Sequence, residues 1–236
     1  MCGRSSICPK LLLREVNAPR DGYDEAFNFW RLLAEIYTPL GQSKALLNTA
    51  APIVLSNALW YPEPESIAEA HDFYSEQNVL PSCFLSAELD EKLYQTLALS
   101  NAGFSRTAQY DFVPITGAKP ATLAVEQVSW AQTRTLGEVI AEKYTLTPYA
   151  VAVGQALALA MQLEPTLTTF VAYDGKAVGA MVVQELSAEL VAFVLESLTP
   201  EADAALRARL QFEAQTLGKA AVAFEQVETG AFELWQ

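Results

Sequence analysis

The chain has 236 residues, of which 51% are apolar, and a formal net charge of −13. That length suits one large or two small domains with a real core, and the acidic field disfavours nucleic acid and anionic membrane surfaces as partners. Three cysteines (Cys2, Cys8 and Cys83), odd in number and without CxxC spacing, argue against a disulfide framework or a metal site and for a reducing, cytoplasmic location.

Met1 to Pro9 is polar and mixed, so no secretory leader is expected. Asp24 to Ile36 reads as a helix, with acidic residues in its first turn and Phe27, Trp30, Leu32 and Leu33 around one side; Pro39-Leu40-Gly41 ends it. Ile53 to Leu59 reads as a strand, Glu65 to Gln77 as a helix, Ser82 to Leu85 as a short strand and Glu88 to Ser100 as a helix. Gly103 closes that helix at a left-handed position, and Phe104 to Val113 returns as a strand. The Pro/Gly-rich run from Pro114 to Pro120 then divides the chain into domains at 1–118 and 122–236. Both halves are acidic, at −5 for residues 1–121 and −8 for residues 122–236.

In the second half Leu123 to Val128 reads as a strand and Thr133 to Lys143 as a helix. Tyr144 to Leu163 runs 20 residues without a charge, long enough to test as a membrane span. Its Ala-rich composition, with Gln155, Gln162, Gly154 and Pro148 and no flanking basic cluster, instead predicts a buried helix that starts at Thr147-Pro148 and stops at Pro165. Thr169 to Gln184 reads as a buried antiparallel hairpin about Asp174-Gly175, with Phe170, Ala172, Val178, Ala180 and Val182 on buried faces. A strand from Glu189 to Leu195 follows. Thr199-Pro200-Glu201 is a helix start with a hydroxyl N-cap and a proline at the first position. Ala202, Leu206, Leu210, Ala214 and Leu217 form one stripe of that helix, Gly218 caps it, and Ala220 to Val227 is the last strand.

Strand, two helices, hairpin, strand, helix, strand is the order of the front two thirds of the GNAT acyltransferase fold. Residues 122–236 resemble it through FVAYDGKAVGAMVV, LVAFVLESLTPE and the helix ending LGKAAVAFE. In the first half, LYQTLALSNAGF followed by SRTAQYDFVPI is similar to the helix, Gly-Phe and strand that close a GNAT domain. The resemblance implies an α/β protein with a mixed, mostly antiparallel central sheet flanked by helices, in two GNAT-like units of which the first is degenerate, its last helix and strand completing the sheet of the second.

The same resemblance implies acetyl-coenzyme A as cofactor, held between two splayed strands. The backbone of Phe193, Val194, Leu195 and Ser197 would line the pantetheine arm, Thr199 and Ala202 would face the pyrophosphate, and Glu196 would act as general base on an amine acceptor of unknown identity. Glu185 and Glu189 are weaker candidates for the base. The family's phosphate turn, Arg/Gln-x-x-Gly-x-Gly/Ala, falls on LTPEADAAL at Leu198 to Leu206, which has no glycine and no preceding arginine. Glu201 and Asp203 put carboxylates where phosphates would sit. The expected function is therefore an acetyl-coenzyme A-dependent N-acetyltransferase, or else an inactive GNAT-fold binding or assembly protein; a homo-oligomer stays open.

Other residues carry less. Cys2 resembles the exposed N-terminal nucleophile of class II glutamine amidotransferases and abasic-site-binding proteins, but no partner motif follows Lys10. His71, the only histidine, shares a helix face with Ile67, Ala70 and Tyr74 and reads as a packed core or interface side chain. Trp60-Tyr61-Pro62 reads as packing at a seam between domains. No tyrosine stands one turn before Gly103, where the family's general acid sits: Leu99 occupies that region and Tyr94 is too early.

Overall fold

The structure, a computed structural model, describes residues 22–86, 92–118 and 122–236. Cys2 therefore lies outside the described residues.

The first half folds as α1 (Gly22–Leu32), β1 (Ile36–Leu40), β2 (Ser43–Leu47), β3 (Leu59–Trp60), α2 (Pro64–Glu76), β4 (Cys83–Ser86), α3 (Lys92–Asn101) and β5 (Arg106–Pro114). The hairpin of β1 and β2 was not expected: Gly41, with φ of 62°, turns the chain where a helix end was read. The helix stops at Leu32 rather than Ile36, and most of the strand expected at 53–59 is a 3-10 turn at Val54–Asn57. Asn57 explains that turn. Its side chain donates to the carbonyls of Ala51 and Ile53 and accepts from the Asn48 amide, satisfying backbone groups that a strand would have paired.

The second half folds as β6 (Ala124–Val128), α4 (Thr133–Lys143), α5 (Ala150–Leu163), β7 (Leu167–Asp174), β8 (Lys176–Glu185), β9 (Glu189–Ser197), α6 (Pro200–Leu217), β10 (Ala220–Val227) and a further strand, β11 (Phe232–Trp235). The uncharged segment is helical from Ala150 and packs on α4 at close range: a Cβ at Gly137 would overlap the Ala150 carbonyl oxygen, and one at Gly154 would lie 2.9 Å from the Thr133 carbonyl oxygen. Among the described residues no helix is long and apolar enough to cross a membrane. The β7–β8 hairpin turns at Gly175, φ 69°, and a register shift between Ala172 and Tyr173 leaves Val178 as an extra residue. That bulge offsets the alternation, so Val178 packs with Phe170 and Ala172, while Ala180 and Val182 face the opposite layer.

Among the described residues all strands join one 11-stranded sheet in the order β1-β2-β3-β4-β11-β5-β10-β9-β8-β7-β6. Only β3–β4 and β9–β10 are parallel; the other neighbours are antiparallel. About the β11–β5 line the order is pseudo-symmetric. β4 matches β10 and β3 matches β9, each parallel pair is bridged by one helix (α2 or α6), and hairpins flank both. The halves exchange their last strands: β5 pairs with β10, and β11 enters between β4 and β5.

Helices cover both faces. α1, α4 and α5 share a core with one face of the sheet through residues such as Phe29, Leu136, Leu157, Val182 and Phe193. On the other face α6 packs through Ala202, Leu206, Leu210 and Ala214, and α2 packs through Ile67, Ala70 and Tyr74. Leu217, expected on the same stripe of α6, is exposed. His71 is not a core residue: its side chain is half exposed, 3.7 Å from Asp72 and edge-on to Phe104.

Candidate functional site

The site is defined by where the parallel strands part. β9 and β10 pair from Glu189/Ala220 to Ala192/Ala223 and no further, although β9 runs on to Ser197 and β10 to Val227. Each outer stretch is tied to its other neighbour, β8 or β5, so a wedge opens between them. It starts at a bulge: Val182 pairs with Val194 and Val183 with Ala192, which leaves Phe193 without a partner across β8. Phe193 is buried and stacks on Phe29 at 4.5 Å, with Phe112 and Phe224 about it, so aromatic rings floor the wedge on the α1 side.

Glu196 stands at the mouth. It is half-buried and accepts a hydrogen bond of 2.5 Å from the Tyr144 hydroxyl, at the end of α4. Desolvation raises its carboxyl pKa; the Tyr144 bond and Lys143 pull it down in part, and Glu225 pushes it up. Across the wedge, burial and then the Glu196 charge push the Tyr110 phenol up to about 12, and the Tyr144 phenol is raised by the same two causes. Lys143 Nζ donates to the Ser197 carbonyl at 3.1 Å. Val194 is buried, and Leu195 is partly buried. Glu185 is paired with Lys219 at 2.9 Å, and Glu189 lies at the foot of β9 beside Ala220, so neither reaches the mouth.

The turn into α6 does not fit a pyrophosphate. Pro200 has no N–H, the Ala202 amide is taken by the Thr199 hydroxyl at 3.2 Å, and the Asp203 amide by the Thr199 carbonyl at 3.1 Å. Of the amides that open the helix, Glu201 alone is left to meet an anion, between two carboxylates. Arg207, the nearest cation on α6, makes two bonds of 3.0 and 2.6 Å to the Glu225 carboxylate and one of 2.8 Å to Asp203. The charge that could hold a phosphate is thus already neutralised. Beside it, a cavity of about 340 Å³ lies between Val113–Thr116 of the β5 end and Asp203, Ala204 and Arg207.

The first half repeats the parting but closes it. β3 and β4 pair at Leu59/Cys83 and Trp60/Phe84, after which Tyr61 turns away with φ of 53°. The buried Tyr23 hydroxyl, from α1, fills the fork: it accepts from the Tyr61 amide at 2.9 Å and donates to the Phe84 carbonyl. The helix after β3 opens on Pro64-Glu65, as α6 opens on Pro200-Glu201. Trp60 is fully buried and donates to the Leu55 carbonyl. Cys83 is buried too, and burial pushes its thiol up to about 12, which makes it a packing residue.

Among the solved structures that match over most of the chain are a GCN5-related N-acetyltransferase from Kribbella flavida (TM-score 0.57, 13% identity, covering 92% of this chain and 96% of that one) and a functionally unknown conserved protein from Staphylococcus epidermidis (TM-score 0.55, 14% identity, covering 86% and 92%). The chain has the GNAT fold. No family model and no curated protein matches its sequence. At these identities the likeness is one of fold. Tyr144, Tyr110 and Lys143 were missed by sequence reading. Tyr110 and Tyr144 lie 86 and 52 positions from Glu196 in the chain, with no motif linking them. Among the described residues no cluster of His, Cys, Asp or Glu could hold a metal ion.

Proposed function

We propose that this GNAT-fold protein is a binding module that does not transfer acetyl groups from acetyl-coenzyme A. The closed turn of α6 carries this reading: Thr199 and Pro200 remove the amides, and Glu225 and Asp203 occupy Arg207. The wedge remains a ligand site of acidic and aromatic character. Glu196 beside Tyr110 and Tyr144 suits a small amine, whose ammonium restores the charge that desolvation disfavours.

A second reading is favoured by the wedge itself together with the raised carboxyl of Glu196. Under it the protein is an acetyl-coenzyme A-dependent N-acetyltransferase. Glu196 would take the proton from an amine acceptor, the backbone of Phe193 to Ser197 would line the pantetheine arm, and Thr199 and Ala202 would face the pyrophosphate.

A thermal-shift titration separates the two. Ligand at roughly 100 times its dissociation constant adds about 2.7 kcal/mol, which for a chain of this size is a rise of about 5–10 °C in Tm. The binding-module reading expects no shift with acetyl-coenzyme A up to about 1 mM, well above the usual range of substrate constants. A rise of several degrees, with coenzyme A released in the presence of a primary amine, would establish the transferase instead.

A further inference from the structure

The α5 face stands apart from the rest of this acidic surface. Ala150–Leu163 holds no charged residue in a chain of net charge −13. Val153, Gly154, Leu157 and Ala160 are buried, yet Val151, Gln155, Leu159 and Leu163 point to solvent, with Leu159 and Leu163 exposed by 54% and 62%. Beside this stripe a cleft of about 230 Å³ opens between α5 and the end of α1, lined by Leu32, Ala152, Ala156 and Leu159 together with the polar Glu35 and Asn48, among others. Ile36 and Tyr37, which follow the end of α1 in the chain, are exposed as well. The glycine-mediated contact of α5 with α4 holds the helix rigidly, so little order is lost when this face is covered.

We infer that this face is where two copies of the chain associate, with α5 crossing its twin about a twofold axis and an exposed leucine of each copy seated in the cleft of the other. Charge selects the occupant. Two molecules of −13 repel over most of their surfaces, and a charge-free helix is where they meet without like charges in contact. A glutamine amide both donates and accepts, so Gln155 can pair with its own symmetry mate, as no lysine or carboxylate can. Glu35 lines the cleft, and exposed Arg31, over the Tyr37 ring, lies one helical turn before it in the chain; a twofold axis can pair these opposite charges crosswise. A basic partner would be drawn to the carboxylate-rich surfaces instead.

The helix is only about 21 Å long, so even with the α1 end the contact is smaller than the roughly 800 Å² per partner of a tight interface. A dissociation constant in the micromolar range is therefore expected. Sedimentation velocity on the full chain should show the weight-average mass rising toward twice the monomer between about 1 and about 200 µM, and added salt should strengthen the association by screening the net charge. Leu159→Lys puts two like charges at the crossing and should weaken association at least about tenfold, with circular dichroism and Tm unchanged because the side chain is exposed. Gln155→Glu, which keeps the size of an exposed side chain, is the second variant and should act in the same direction. Phe212→Lys, at an equally exposed position on α6 across the sheet, should leave the dimer intact. A chain monomeric across the whole range, or a dimer that survives both α5 variants, overturns the inference, as does one that Phe212→Lys alone abolishes.

Discussion

Replacing Tyr23 with Phe tests whether the first fork is held shut by one hydroxyl. The ring is 1% exposed and packs against Trp60, Phe84 and Phe232, and Phe keeps that packing, so the substitution removes the oxygen alone. Two backbone groups lose their partner, the Tyr61 amide and the Phe84 carbonyl. Leaving a buried polar group unsatisfied costs about 1–3 kcal/mol, so Tyr23→Phe should destabilise the protein by about 2–4 kcal/mol. With a urea m-value of about 2–3 kcal/mol per molar for a chain of this size, the unfolding midpoint should fall by about 1 M at unchanged m. Tyr61→Phe is the control: it deletes a hydroxyl that donates to Asp24 on the exposed side and should cost less than about 1 kcal/mol. A midpoint for Tyr23→Phe within about 0.2 M of the wild type would refute the reasoning, because the fork would then be closed by packing and not by the hydrogen-bonded plug.

Three further outcomes follow from the geometry. The Glu196 carboxyl binds its proton more tightly folded than unfolded, so its contribution to stability is lost as pH rises from the ordinary value of about 4.3 through the raised folded one. Glu196→Gln, neutral throughout and still able to accept from Tyr144, should therefore unfold at higher temperature than the wild type near pH 8, with the gap closing toward about pH 4. Gly137→Ala places a methyl into the Ala150 carbonyl; despite about 1 kcal/mol gained in helix propensity, it should lower stability by about 1–3 kcal/mol, read as a depressed Tm. In a Cys2→Ser/Cys8→Ser background Cys83 is the single thiol. Buried, with its pKa near 12, it should react with a disulfide reagent at about pH 8 only as fast as the protein opens, and at full speed in denaturant.

Period and punctuation carried the second half well. Thr199-Pro200 and Gly218 bound α6 as their capping chemistry requires, and the apolar run about Gly175 gave the β7–β8 hairpin. Short elements escaped because their pairing is long-range. β11 has four residues, and nothing local distinguishes it from a loop until β4 and β5 accept it between them. The β1–β2 hairpin escaped for a different reason: its pairing is local, about Gly41, but Pro39-Leu40-Gly41 reads equally as the punctuation that ends a helix.

Of the candidate site, the sequence by itself determined the start of α6 at Thr199-Pro200, with its carboxylates Glu201 and Asp203, and most of β9, because composition and caps act over a few residues. Tertiary structure alone decided the rest. It brings Tyr144 and Tyr110 to Glu196, ties Arg207 to Glu225, and sends Tyr23 into the first fork. It also exchanges β5 and β11 between the halves. These partners meet only when strands far apart in the chain are laid side by side, and no periodicity or spacing along a single segment records which edge a strand will find.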